Sequence, residues 1–193
     1  MRVIAGTARS LPLKTVPGLL TRPTTDRIKE TLFNILQNSL YDCRFLDLFA
    51  GSGAIGIEAL SRGAKRAVFI EKNPAAVKCI SDNLRFTKLQ EKAAVLKTDV
   101  LSGIRRLEDT GEEAFSVIFM DPPYGDGFVE KVLSVLQDSP LVNRETLIVC
   151  EESMQFDPSV LSNLSFEIVR DKKYKTNRHL FLRKKSLEAT ENR

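Results

Sequence analysis

Long apolar runs are missing from this 193-residue chain, and no stretch approaches the roughly 20 residues that would span a bilayer. The opening MRVIAGTARS lacks the extended apolar core of a secretory signal, so the expectation is a cytoplasmic protein with no membrane partner. Cysteine is scarce. Cys43, Cys79 and Cys150 are odd in number and far apart, which argues against a disulfide framework and against a Cys-x-x-Cys metal site. They read as small core residues. Histidine occurs once, at His179, in a segment that reads as an edge strand. A surface or packing role is expected there rather than a base. No metal-ligand cluster is visible, so no metal is expected. Internal repeats and low-complexity segments are absent.

What is present fits one folded domain with a small appendage: 42% hydrophobic and 28% charged residues. The net charge of +4 conceals an uneven layout. Residues 1–40 carry six Lys/Arg against two Asp/Glu, residues 170–193 nine against three, and residues 41–169 fourteen against twenty. A near-acidic body with two basic ends suits a catalytic domain that grips a polyanion with its margins. On charge alone, a solvated surface with a basic tail fits equally well.

From residue 45 onward, short apolar runs alternate with helical patterns. Strands are expected at 45–50, 67–72, 93–99, 116–123 and 146–152, with helices at 51–64, 73–89, near 100–107, 127–137 and near 157–163. Asn73 and Pro74 form an N-cap and first-turn pair. Residues 165–174 and 177–184 follow without a helix between them and should form an antiparallel hairpin. Repeated β-α units imply an α/β fold with a mostly parallel, doubly wound sheet and helices on both faces. Residues 1–40 read as an N-terminal extension. MRVIAG and LPLKTV pair across TARS, and a helix starts after Thr25 with apolar positions at 28, 32, 35 and 36. The main domain spans 41–185, and 186–193 is expected to be a disordered tail.

Chemistry concentrates at the strand ends. DLFAGSGAIGIEAL places Gly51, Gly53 and Gly56 directly after the first strand, where glycines allow a tight turn and let a ligand approach backbone amides at a helix N-terminus. The spacing Gly51-x-Gly53-x-x-Gly56 also matches the dinucleotide fingerprint. Glu71 ends the second strand about 20 residues on, where a carboxylate accepts from ribose hydroxyls. Asp99 ends the third strand and could accept an adenine amino proton. Asp47 is expected to orient the loop or to face a bound ammonium. An acidic surround suits a sulfonium ligand with an amino group better than a pyrophosphate, which the helix dipole and basic neighbours would favour. Electrostatics alone leaves both open.

The fourth of these strands ends in SVIFMDPPYGDGF. Proline cannot donate to a β-ladder, so Asp121, Pro122, Pro123 and Tyr124 lie at or beyond the strand end. Taken alone, the quartet is either a plain strand stop or a rigid set of groups aimed at something.

In the order DLFAGSG, IEKN, KTDV, DPPY, the chain resembles S-adenosylmethionine-dependent methyltransferases that modify exocyclic amino groups. RVIAGTARSLPL followed by RPTTDRIKETLFNIL narrows the likeness to the RsmD family, the small-subunit ribosomal RNA guanine-N2 methyltransferases, from residue 2 to about residue 184. YKTNRHLFL departs from the YGxT-type turn of many relatives. The resemblance implies a Rossmann-like class I methyltransferase, a seven-stranded sheet ending in an antiparallel hairpin. Its substrate would be a guanine in 16S rRNA, of the guanine-966 type, offered as RNA or as a small ribosomal subunit particle to a monomeric enzyme.

The resemblance also implies residue roles. Gly51, Ser52 and Gly53 would line the methionine part of S-adenosylmethionine, Glu71 would hold the ribose and Asp99 the adenine amino group. Asp47, Phe49, Lys72, Val100 and Asp121 complete the cofactor set. Asp121 and the Pro122 carbonyl would face the target amino group, Pro122 and Pro123 would fix that carbonyl's direction, and Tyr124 would stack on the base. Arg22, Thr24 and Thr25 fall at the mouth of the site. Arg2, Arg9, Lys14, Arg22 and Arg27, and the stretch KKYK (Lys172, Lys173 and Lys175) with Arg178, are candidate phosphate contacts. A DNA adenine-N6 or cytosine-N4 methyltransferase, a dinucleotide-dependent oxidoreductase and a non-catalytic RNA-binding assembly factor are the alternatives; the absence of a large target-recognition insertion weighs against the first.

Overall fold

A computed structural model describes residues 1–16, 26–125 and 127–186. Among these, helix α1 (Asp26–Leu36) precedes the alternating units β1 (Arg44–Asp47), α2 (Ala54–Ser61), β2 (Arg66–Glu71), α3 (Pro74–Phe86), β3 (Ala93–Lys97), α4 (Val100–Asp109), β4 (Val117–Met120), α5 (Phe128–Leu136) and β5 (Leu147–Ser153). Strands β6 (Phe166–Lys173) and β7 (Asn177–Lys184) close the sheet. The strand order is β3-β2-β1-β4-β5-β7-β6, parallel through β5 and antiparallel thereafter. Chain direction across the sheet reverses between β1 and β4, which opens a crevice at their carboxyl ends.

The central strands β1, β2, β4 and β5 are buried on both faces because helices cover both. Successive residues divide between two cores. Phe45, Phe69, Phe119 and Phe181 pack with α1, α2 and α3. Leu46, Val68, Ile118, Ile148 and Leu182 pack with α4 and α5. Helix α2 is buried along its whole length. At Gly56 a Cβ would come within 2.3 Å of the Phe69 ring, so only glycine lets this helix lie so close to β2. Asn73 caps α3 through Ala75 N–H (2.8 Å), with Pro74 in the first turn, as its sequence indicates.

The N-terminal hairpin is minimal, one antiparallel bridge between Arg2 and Pro12. It is tied down by buried side chains of the main sheet's helices. Glu58 of α2 accepts from Ile4 N–H (2.8 Å), Ala5 N–H (3.0 Å) and Arg62 Nε (2.8 Å), and pairs with Lys29 Nζ of α1 at 3.1 Å. Asn83 of α3 holds both backbone groups of Lys14 and also donates to Ser52 O in the glycine loop. The buried face of α1 is therefore Lys29, Leu32, Phe33 and Leu36, one residue round from the expected 28, 32, 35 and 36. A lysine occupies a core position because a buried glutamate awaits it. The expected Thr25 cap lies outside the described residues, as does the tail from residue 187.

Two further expectations change. Strand β7 is flanked by β5 and β6, so His179 is not on an edge strand; it is fully buried. Arg178 is buried too, bonded to Asp171 and to Phe156 O. It is occupied in the fold and cannot serve as a phosphate contact.

Candidate active site

A cavity of about 510 Å³ opens at the carboxyl ends of β1, β2, β3 and β4. The first loop leaves β1 with Gly51 and Gly53 at φ 54° and 78°, left-handed values that spare the chain a Cβ clash with its own backbone. A Cβ on Gly51 would meet nothing within 4 Å, so its α-carbon faces open space. Glu71, at the end of β2, accepts from Gly51 N–H (2.9 Å) through one oxygen and from Asn73 N–H (2.8 Å) through the other. One carboxylate thus sets the loop and the start of α3 together. Asp47 accepts from Gly56 N–H at 3.1 Å and fixes α2 against β1. Burial pushes the Asp47 carboxyl up to about 7 against the pull of that N–H, and nearby Glu71 adds to the rise. Asp99 caps α4 through Ser102 N–H (3.0 Å), and this bond holds its carboxyl below the usual range.

The opposite wall comes from β4 and α5. Phe49 and Phe128 meet edge to face at 5.8 Å, and Lys131 lies over the Phe128 ring. Asp121 ends β4. Burial raises its carboxyl well above the ordinary carboxylate range, and Glu151, Asp47 and Glu152 push it further. Tyr124 is 45% exposed, and its hydroxyl donates to Glu151 Oε1 at 3.3 Å. Burial, then the Glu151 and Asp121 charges, raise that phenol above its usual value.

Of the residues singled out in the sequence, Asp47, Phe49, Gly51, Ser52, Glu71 and Lys72 line the cavity, together with Asp99, Val100, Asp121 and Pro123. Gly53, Pro122 and Tyr124 do not line it, although they flank residues that do. Arg2, Arg9, Arg27, Lys173 and Lys175 lie on the exposed surface, outside the cavity. Arg22, Thr24 and Thr25 lie outside the described residues. Sequence reasoning missed Met1, Thr15, Val16 and Lys29, which the folded N-terminal segment and α1 bring to the cavity wall. Burial lowers the Lys29 ammonium from its usual range, against the pull of Glu58. No local signal marked these residues, because their place depends on Glu58 and Asn83, each about 30 to 70 residues away. No group of three or more His, Cys, Asp or Glu side chains among the described residues could hold a metal.

The strand order, the glycine loop and the row of strand-end acids define a class I methyltransferase fold. At 17% identity, ribosomal protein L11 methylase of Lactobacillus delbrueckii subsp. bulgaricus shares that fold, with a TM-score of 0.71 over 88% of this chain and 83% of that one. The family described as Conserved hypothetical protein 95 matches residues 1–183, and the chain belongs to it: this is the RsmD family. The chain is similar to Ribosomal RNA small subunit methyltransferase D of Escherichia coli (strain K12), 38% identical over 168 residues, which cover 86% of this chain and 81% of the relative. The protein of the same name from Haemophilus influenzae is 37% identical over 154 residues, covering 78% of each chain. The solved structure of yhhF from Escherichia coli matches with a TM-score of 0.79 and 33% identity over 96% of this chain and 98% of that one.

Proposed function

We propose that this protein transfers a methyl group from S-adenosylmethionine to the exocyclic N2 of a specific guanine in 16S rRNA, of the guanine-966 type, during small-subunit maturation. The observation that carries the reading is one crevice that joins the Gly51–Glu71 loop assembly to Asp121 of the Asp-Pro-Pro-Tyr quartet. The relatives named for small-subunit rRNA methylation support the substrate class. Residues 41–185 would form the catalytic domain and 1–40 an extension on the RNA side.

The cavity suits the cofactor on three counts. Gly51 offers an open backbone surface, the surrounding carboxyls favour positive charge, and Phe49 and Phe128 supply an apolar wall. Gly51, Ser52 and Gly53 would receive the methionine part, with Asp47 behind them. Glu71, already aligned by two backbone donors, would accept from the ribose. Asp99 would accept the adenine amino group, with Lys72 and Val100 on either side. S-adenosylmethionine supplies an electrophilic methyl group when bound.

A purine amino group is a weak nucleophile because its lone pair is delocalised into the ring. Asp121 and the Pro122 carbonyl would accept its two hydrogens, favour a tetrahedral nitrogen and aim the lone pair within near-attack distance. The paired prolines keep that carbonyl from turning away. Formation of the new N–C bond would break the methyl–sulfur bond, with the sulfur leaving as a neutral thioether, and the nitrogen, cationic at that point, would release a proton. Asp121, whose proton affinity is raised by its surroundings, is placed to take it. Tyr124 would stack on the base, which must be unpaired or flipped out to reach this depth. Arg2, Arg9 and Arg27 near one end of the chain, and Lys173 and Lys175 near the other, are exposed and would meet phosphates.

The test is transfer of labelled methyl groups to small-subunit RNA, and to particles, from cells lacking this protein, with DNA as competitor. One modified guanine, bearing the label on N2, is the expected result. Label on another atom, on DNA alone, or on nothing would overturn the reading.

A further inference from the structure

Behind Tyr124, strands β5 and β7 enclose a second polar cluster. Glu151 and His179 face each other in the antiparallel register. Glu151 Oε2 lies 2.9 Å from His179 Nε2, and Oε1 accepts from Asn177 Nδ2 as well as from the Tyr124 hydroxyl. On its far side His179 Nδ1 lies 3.2 Å from the Tyr174 hydroxyl, and the Tyr174 and Phe119 rings meet the imidazole edge to face. Glu151, Asn177 and His179 are all buried, whereas Tyr124 is half exposed.

A buried carboxylate with three donors is an expensive way to fill a sheet seam; apolar side chains would do it at lower cost. The cluster also fixes geometry. Two of the three donors come from β7 and lock the Glu151 carboxyl group in place. The third comes from the quartet's turn, which continues through Gly125 at φ 88°. A tyrosine ring in such a turn can swing about its side-chain bonds unless its far end is held. The hydroxyl bond to Glu151 holds it.

We propose that Glu151, clamped by Asn177 and His179, is a positioning residue that fixes the Tyr124 ring for the target base, so that the C-terminal hairpin governs base engagement without touching the base. This rests on the reading of Tyr124 as the stacking face of a nucleic-acid amino methyltransferase. It assigns a task to a hairpin whose turn lacks the YGxT pattern, and to the chain's single histidine. Orienting the ring beforehand leaves less disorder to be lost when the base arrives.

The experiment compares the full-length wild type, Tyr124→Phe, Glu151→Gln and the double variant. Each is measured for steady-state methyl transfer to small-subunit RNA from cells lacking the protein, for S-adenosylmethionine affinity and for melting temperature. Tyr124→Phe keeps the ring and removes only a half-exposed hydroxyl, so folding is preserved. It should raise KM for RNA about two- to tenfold, the scale of one hydrogen bond, with cofactor affinity unchanged. Glu151→Gln should raise KM at least as much, and the double variant should be no worse than the poorer single, since both break one tether. Should Glu151→Gln lower the melting temperature, the Tyr124→Phe result still decides. Wild-type kinetics in Tyr124→Phe, additive effects in the double variant, or an equal loss of cofactor affinity would overturn the positioning role alone. An inactive wild type would overturn the functional reading beneath it.

Discussion

On the β2 and β3 side of the crevice, Glu71 accepts from the Gly51 and Asn73 amides, and Asp99 accepts from the Ser102 amide. On the β4 and β5 side, Asp121 is buried within reach of the charges of Glu151, Asp47 and Glu152, and among the described residues no hydrogen bond reaches its carboxyl. Both halves present acids at strand ends, yet their electrostatics are opposed. Backbone amides fix the direction of Glu71 and Asp99, and at Asp99 the amide also favours the ionised form, which makes a rigid receiving surface for hydroxyl and amino groups. Burial among like charges favours the protonated form, and such a site gains most from a positive neighbour or an incoming proton. In the proposed reaction the first half would bind the cofactor and the second would take part in proton-coupled chemistry.

The largest expected effect breaks the second half. Asp121→Ala should lower turnover by about a hundredfold or more while S-adenosylmethionine affinity stays within about threefold; single-turnover methyl transfer and calorimetry measure the two. Next is the first half. Glu71→Ala frees the Gly51 and Asn73 amides together and should weaken cofactor binding about 10- to 100-fold, as two charge-assisted bonds predict, read by calorimetry. If the two variants failed in the same measured quantity, the division between halves would be lost.

A smaller effect is set by pH. In the ligand-free protein Asp47 takes its proton near 7, whereas an unfolded chain takes it near 3.8. The folded state therefore binds the proton more tightly. That contribution is complete below about pH 4 and is lost as pH rises to about 7, by at most about 1.4 kcal/mol per unit. The melting temperature of the wild type should fall over this window relative to that of Asp47→Asn. Cofactor affinity should change the other way between pH 6 and 8, rising with pH, because a bound sulfonium favours ionised Asp47 and so releases a proton. Calorimetry in buffers of different ionisation enthalpy measures that release. The smallest effect lies on the exposed surface. Removing Lys173 or Lys175 should reduce the salt dependence of RNA binding by about one unit of slope each, without changing which nucleotide is modified.

Most of the β1–β3 side of the crevice was legible in the sequence because its geometry is local. Asn73 and Pro74 cap their own helix, and Gly51 and Gly53 shape their own turn. Strand apolarity announced a covered parallel sheet. Residues whose surroundings come from distant chain were not legible in this way. Periodicity placed Ile28 on the buried face of α1, but the neighbouring Lys29 is the one fully buried, against Glu58. NRHLFLRK read as an edge strand, but β6 covers it, so His179 and Arg178 are buried with acids from β5 and β6. Arg178 shows the consequence for the site, since a plausible phosphate ligand proved to be a structural ion-pair partner.

By itself, then, the sequence determined the fold class, the glycine loop, the strand-end acids and the quartet, all of which follow from hydrophobic alternation and from backbone rules that act over a few residues. Only the tertiary structure decided which charges are buried, that Met1, Thr15 and Val16 reach the cavity wall, and that Glu151 stands behind Tyr124. The reason is physical. A polar side chain can leave water only where a partner is already waiting, and here those partners stand on elements that the sheet brings together from distant parts of the chain.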